Sequence, residues 1–108
     1  MSIEFQKAIE NKRILRFLQG KRQVKKELEE AENDLEEAVN RFDSQKYKYA
    51  TITGYYSMFH SARALIYSKG YREKSHYYLL VALSSLFVKE GFLSEELASE
   101  FHDAMVLR

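Results

Sequence analysis

The run Val24-Lys25-Lys26-Glu27-Leu28-Glu29-Glu30-Ala31-Glu32-Asn33-Asp34-Leu35-Glu36-Glu37-Ala38-Val39-Asn40-Arg41-Phe42 decides the fold. Its apolar positions Val24, Leu28, Ala31, Leu35, Ala38 and Phe42 alternate steps of four and three, which on a 3.6-residue helix draws one stripe. The spacing predicts a long helix packed by that stripe along a bundle. Glu37 and Arg41 stand four apart, the placement of a surface ion pair stabilising a helix by about 0.3 kcal/mol.

Outward from this helix the same pattern repeats. Residues of about 47–69 carry Ile52, Tyr55, Phe59, Ala62 and Ile66 at helical spacing. Ser75 is placed to cap a third helix with Leu79, Leu80, Leu83, Leu86 and Phe87 on its apolar face, and Ser94 with Glu95 and Glu96 to start a fourth with Leu97, Phe101 and Ala104. The stretch from Ser2 to Leu18 is read as helical too, on Ile3, Phe5, Ile9, Ile14, Leu15 and Leu18. Proline is absent and there are only four glycines, so little interrupts these helices. Gly20, Gly70 and Gly91 each follow a periodic segment and fit left-handed helix ends, whereas Gly54 inside a segment fits close packing. The expectation is an all-α chain, an up-and-down four-helix bundle with an additional N-terminal helix. One domain spans 1–108, with the N-terminal helix at about 2–18 and the bundle at about 21–108.

Hydrophobic residues at 45% and charged residues at 31% are a globular composition. Without cysteine there is no disulfide, thiolate metal site or thiol nucleophile. Charges at Glu4, Lys7, Glu10, Lys12, Arg13 and Arg16 break the N-terminal region, so it is neither a signal peptide nor a membrane span, and a cytoplasmic location without membrane association is expected. The net charge of +1 hides an asymmetry. Lys12, Arg13, Arg16, Lys21, Arg22, Lys25 and Lys26 precede an acidic run from Glu27 to Glu37, and the pattern reads either as a solvated helix face or as a basic block attracting RNA.

One position after each residue of the second stripe come Thr53, Tyr56, His60, Arg63 and Tyr67, a parallel seam rotated by about 100°. It can line a cleft or pack against another subunit. His60 and Arg63, three apart, are neighbours that can pair a proton-transfer group with a phosphate clamp, or can be hydrogen-bonded structural groups. Arg72, Lys74, Ser75 and His76 crowd the start of the third helix, where backbone N–H groups and basic side chains can receive a phosphate, with Tyr56 a further candidate. His60, His76 and His102 lie on three helices without local ligand spacing, so neither a metal nor another cofactor is expected. Signatures of nucleotide, serine and zinc hydrolysis are missing.

Gly54-Tyr55-Tyr56-Ser57-Met58-Phe59-His60-Ser61-Ala62-Arg63-Ala64-Leu65, followed by Lys69-Gly70 and Lys74-Ser75-His76, resembles HEPN-domain proteins of the small prokaryotic branch, and the likeness extends from about Lys21 to Arg108. The resemblance implies a four-helix bundle that forms a homodimer and is often paired with a minimal nucleotidyltransferase as toxin and antitoxin. Several members are metal-independent ribonucleases, in which an arginine is followed after four to six residues by a histidine. That motif is not intact within residues 1–108: Arg72 and His76 have three residues between them, and Arg108, which can stand where the motif arginine begins, is the last of these residues. Two readings stay open. One is a noncatalytic interaction module binding a second copy, a nucleotidyltransferase, a nucleotide or RNA. The other is a ribonuclease using His60 or His76 for proton transfer and Arg63 or Arg72 as phosphate clamp.

Overall fold

The computed structural model describes residues 2–108. Its helices are α1 (Ile3–Glu10), α2 (Val24–Asp43), α3 (Tyr47–Ser68), α4 (His76–Leu83) and α5 (Glu95–Leu107). Two short strands, β1 (Ile14–Arg16) and β2 (Tyr71–Glu73), and a 3-10 turn at Leu18–Gln23 complete it. The chain is all-α in class, built on α2 to α5 with α1 as the additional N-terminal helix.

The serine caps form as the sequence predicts. Ser75 accepts from the Tyr78 N–H and Ser94 from the Leu97 N–H, and Ser2 does the same for α1 through the Phe5 N–H. Gly70 and Gly91 have φ of +82° and +80°, the left-handed geometry that glycine adopts without a Cβ penalty. Gly20 has a different role: a Cβ there would lie 2.9 Å from the Tyr67 carbonyl oxygen, so the 3-10 turn can lie on α3 only without a side chain. Beyond Leu83 the chain widens into a π-helical turn, Ser84–Val88, in which buried Ser85 accepts from the Ser2 N–H.

Two expectations need correction. The N-terminal helix stops at Glu10, well short of Leu18. Lys12 takes φ +57°, and the chain then pairs antiparallel with β2, setting Ile14 opposite Glu73, Leu15 opposite Arg72 and Arg16 opposite Tyr71. Ile14 and Leu15 therefore belong to a strand, and fully buried Ile14 meets the core from there. The irregular apolar spacing of residues 2–18 reflects this change of period from 3.6 to 2.

The second correction concerns α2. Ala31 and Ala38 of its stripe are buried against α3, but Leu28, Leu35 and Phe42 are about half exposed or more, and Val39 joins them. The face turned to α3 is centred on Glu27, Ala31, Asp34 and Ala38, about 80° round from the large apolar residues. Small side chains bring the two helices close, and Gly54 of α3 lies opposite Ala38.

The core sits on the other side of α3. Phe5 and Ala8 of α1, Ile14 of β1, Tyr55, Phe59, Ala62 and Ile66 of α3, Leu79, Ala82 and Leu83 of α4 and Phe101 of α5 form one apolar cluster. The stripe predicted for residues 47–69 thus packs largely as expected.

Candidate functional site

The second seam of α3 has two environments. Thr53, His60 and Arg63 turn towards α2, and charged groups answer them in order. Arg41, bonded through Nε to Glu37 Oε1 at 2.8 Å, donates from its NH1 nitrogen to Thr53 Oγ1 at 3.0 Å. His60 Nδ1 lies 2.5 Å from Glu27 Oε2, and its Nε2 is 3.7 Å from Asp34 Oδ2. Arg63 stands 3.9 Å from Glu27 and 3.3 Å from Glu73 of β2, with its guanidinium over the rings of Phe59 and Tyr67.

This seam is a ladder of polar contacts between α2 and α3 that Arg63 carries on to Glu73 of β2. Both His60 nitrogens face carboxylates, which suits a group that joins helices better than one that must exchange a proton with a bound substrate. Glu73 is buried beneath the ribbon, and burial pushes its carboxyl above the ordinary range against the pull of Arg63. Neither Arg63 Nε nor Glu73 Oε1 has a hydrogen-bond partner among the described residues, so their attraction is ionic and imperfectly satisfied.

His76 begins α4 in an aromatic setting. Its ring lies 4.5 Å from that of Phe59 and is stacked 5.7 Å from that of Tyr55, with Tyr56 edge-on at 6.4 Å. The Tyr55 hydroxyl is 2.5 Å from His76 Nδ1. Desolvation first, then the positive charges of Arg108 and Arg63, lower the His76 pKa below its ordinary value. Burial raises that of Tyr55. A phenol that keeps its proton and a neutral imidazole allow two arrangements according to the tautomer: the Tyr55 hydroxyl donates to Nδ1, or Nδ1–H donates to the Tyr55 oxygen and leaves Nε2 as a free acceptor. Arg108 closes the group from the end of α5, its guanidinium 5.0 Å from the centroid of the Tyr55 ring.

The predicted candidates therefore fall into three places. His60 and Arg63 belong to the α2–α3 ladder. His76 and Tyr56 share the aromatic group with Tyr55 and Arg108. Arg72 and Lys74 are exposed on the ribbon, and the Ser75 hydroxyl is taken up as a helix cap. Of the phosphate candidates, Tyr56 lies beside His76, Arg72 and Lys74 on the ribbon, and Ser75 at the α4 cap.

Sequence reasoning missed the partners. Glu27 and Asp34 carried a usable signal, because they share a face with Ala31 and Ala38 and so place acid in a packing seam. Tyr55 reads as a core residue from its spacing, and nothing local shows that its hydroxyl reaches a histidine 21 positions on.

With the helices and their polar seam in place, the model of the HEPN domain matches residues 24–107. The chain belongs to the HEPN family. Two relatives come from Methanocaldococcus jannaschii. "Putative toxin MJ0142" is 34% identical over 87 residues, covering 81% of this chain and 59% of that protein. "Putative toxin MJ0605" is 35% identical over 68 residues, covering 63% of this chain and 51% of its own. The chain thus spans between a half and three fifths of the length of these relatives. No solved structure matches it. In this HEPN chain no described helix is long and apolar enough to cross a membrane.

Proposed function

We propose that this HEPN chain is an interaction module, a homodimer that serves as the toxin-side partner of a minimal nucleotidyltransferase. The observation that carries the reading is the apolar strip left uncovered on α2. Leu28, Leu35, Val39 and Phe42 follow one another along one edge of the helix, and Val39 and Phe42 border a cleft completed by Tyr47, Ala50 and Thr51 of α3. A row of half-exposed large apolar side chains on a 20-residue helix is the kind of surface that association buries. The toxin assignment is supported by the names of the two relatives.

Size-exclusion chromatography with light scattering tests the dimer. Wild type runs at twice the chain mass, and Leu35→Glu with Val39→Glu runs as a folded monomer; a wild-type monomer at high concentration sinks the reading. Co-purification with a minimal nucleotidyltransferase tests the partner.

A second reading has one observation in its favour. Tyr55, His76 and Arg108 are far apart in sequence yet meet, and they set a neutral imidazole beside a guanidinium, a base beside a phosphate clamp. In the tautomer whose Nδ1–H donates to the Tyr55 oxygen, His76 Nε2 can take the proton from an RNA 2'-hydroxyl as it attacks the neighbouring phosphate, and the 5'-oxygen leaves with a proton from water. Under this reading purified protein cleaves RNA in EDTA, His76→Ala abolishes cleavage, and His60→Gln leaves most of it. RNA left intact by wild type rejects it.

A further inference from the structure

A cavity of about 220 Å3 opens between α3, the end of α4 and α5. Met58, Ala62 and Leu65 line it from α3, Leu83 from α4, and Leu97 and Phe101 from α5. Apolar cavities of about 150 Å3 hold benzene, so this space admits a hydrocarbon. Leu65 and Leu93 also line the next depression, of about 370 Å3, which Ser68, Lys69, Phe87 and Phe92 complete. The two form one groove along α3 from Ser57 to Lys69, about 18 Å of helix.

In the sequence Ser57, Ser61 and Ser68 make this flank of α3 polar, but the structure has already engaged their hydroxyls. Ser57 donates to the Ala31 carbonyl at 2.8 Å, Ser61 to the Ser57 carbonyl at 3.0 Å, and Ser68 to the Leu65 carbonyl. Hydroxyls whose proton is taken lose no donor bond when an apolar guest covers them. The rim is fixed, because the Phe92 and Leu93 N–H groups both donate to the Phe87 carbonyl, at 2.8 and 3.2 Å. Lys69 is the one charged residue that lines either depression. It is exposed at the end of the groove, 5.7 Å from the Phe87 ring centroid, and has no ion pair among the described residues.

We infer that this groove binds an aliphatic carboxylate, its chain lying along α3 between Leu65 and Phe101 and its head beside Lys69. A neutral hydrocarbon leaves the Lys69 charge unused, and a small anion leaves the trough unfilled. An amphiphile with one negative end matches both, since burying each methylene is favourable and the ammonium answers the carboxylate. The groove lies on α3, α4 and α5, away from the apolar strip of α2, so binding here does not depend on the dimer.

The test is isothermal titration calorimetry of decanoate into the chain at neutral pH, where a carboxyl group is ionised. One molecule binds per chain, and decanoate binds about fifteenfold more tightly than octanoate, because each buried methylene contributes about fourfold. Ser61→Phe fills the cavity while removing only a hydroxyl bonded within its own helix, and it abolishes binding of both decanoate and neutral decanol. Lys69→Gln weakens decanoate about threefold and leaves decanol unchanged, as loss of an exposed ion pair does. Circular dichroism checks that the variants fold, and if Ser61→Phe does not, the exposed Lys69→Gln comparison decides. The inference is overturned if wild type takes up no decanoate, if folded Ser61→Phe binds it as wild type does, or if Lys69→Gln weakens decanol as much as decanoate. A wild type without decanoate binding whose mass in light scattering changes with Ser61→Phe would place a second copy in the groove instead.

Discussion

The two sides of α3 are held by different physics. On the side facing α1, α4 and α5, Phe5, Tyr55, Ile66 and Leu79 are almost wholly removed from water, and burying such side chains contributes about 1.5–3 kcal/mol each. On the side facing α2, the longer interface buries two alanines and Glu27, bridged by His60, Arg63 and a hydrogen bond from the Ser57 hydroxyl to the Ala31 carbonyl. The large apolar residues of α2 face elsewhere. A helix that spends alanine and charge on its own chain, and keeps leucine, valine and phenylalanine outside, is arranged for a second surface.

That contrast is broken most directly by truncation on each side. Phe5→Ala removes a ring from the dense core and is expected to cost about 3–5 kcal/mol in urea denaturation. Leu35→Ala, measured at dilutions where the chain is monomeric, is expected to stay within about 0.5 kcal/mol of wild type. At concentrations where copies associate, the same Leu35 variant melts at a lower temperature than wild type, because association stabilises the folded state by mass action. Equal losses from Phe5→Ala and Leu35→Ala in the dilute monomer would mean that the strip is covered within the chain, and the contrast would fail.

How much of this was legible follows the range of the signals. Helix identity was written locally, in the alternating stripes, the serine caps and the glycines at 70 and 91. The ribbon was not, because three-residue strands are too short for a period-2 pattern, and β1 meets its partner about 57 positions later in the chain. For α2 the stripe gave the helix but not its rotation: a helix follows the residues that let it approach most closely, and Ala31, Ala38 and Gly54 outweigh leucine there. At the candidate site the residue types His60, Arg63 and His76 could be read. Their division could not, since the carboxylates that hold His60 and the tyrosine that holds His76 come from elements distant in sequence.

The finest test of the core side is the state of His76, and pH resolves it. His76 lies in the aromatic group, and its pKa is lowered by desolvation and by the charges of Arg108 and Arg63. In the unfolded chain a histidine takes up a proton near pH 6.5, whereas folded His76 resists until the pH is lower still. Between those two values the unfolded state binds more protons, so stability rises with pH there and is level above about 6.5. The contribution of His76 is therefore fully present at neutral pH and is lost as the solution is acidified below about 6.5. In His76→Gln, which cannot titrate, this part of the pH dependence disappears, and the melting temperature falls less between pH 7 and pH 5 than in wild type. If His76→Gln loses as much stability between pH 7 and pH 5 as wild type, the imidazole is not kept neutral by its aromatic surroundings, and the account of the core side of α3 fails there.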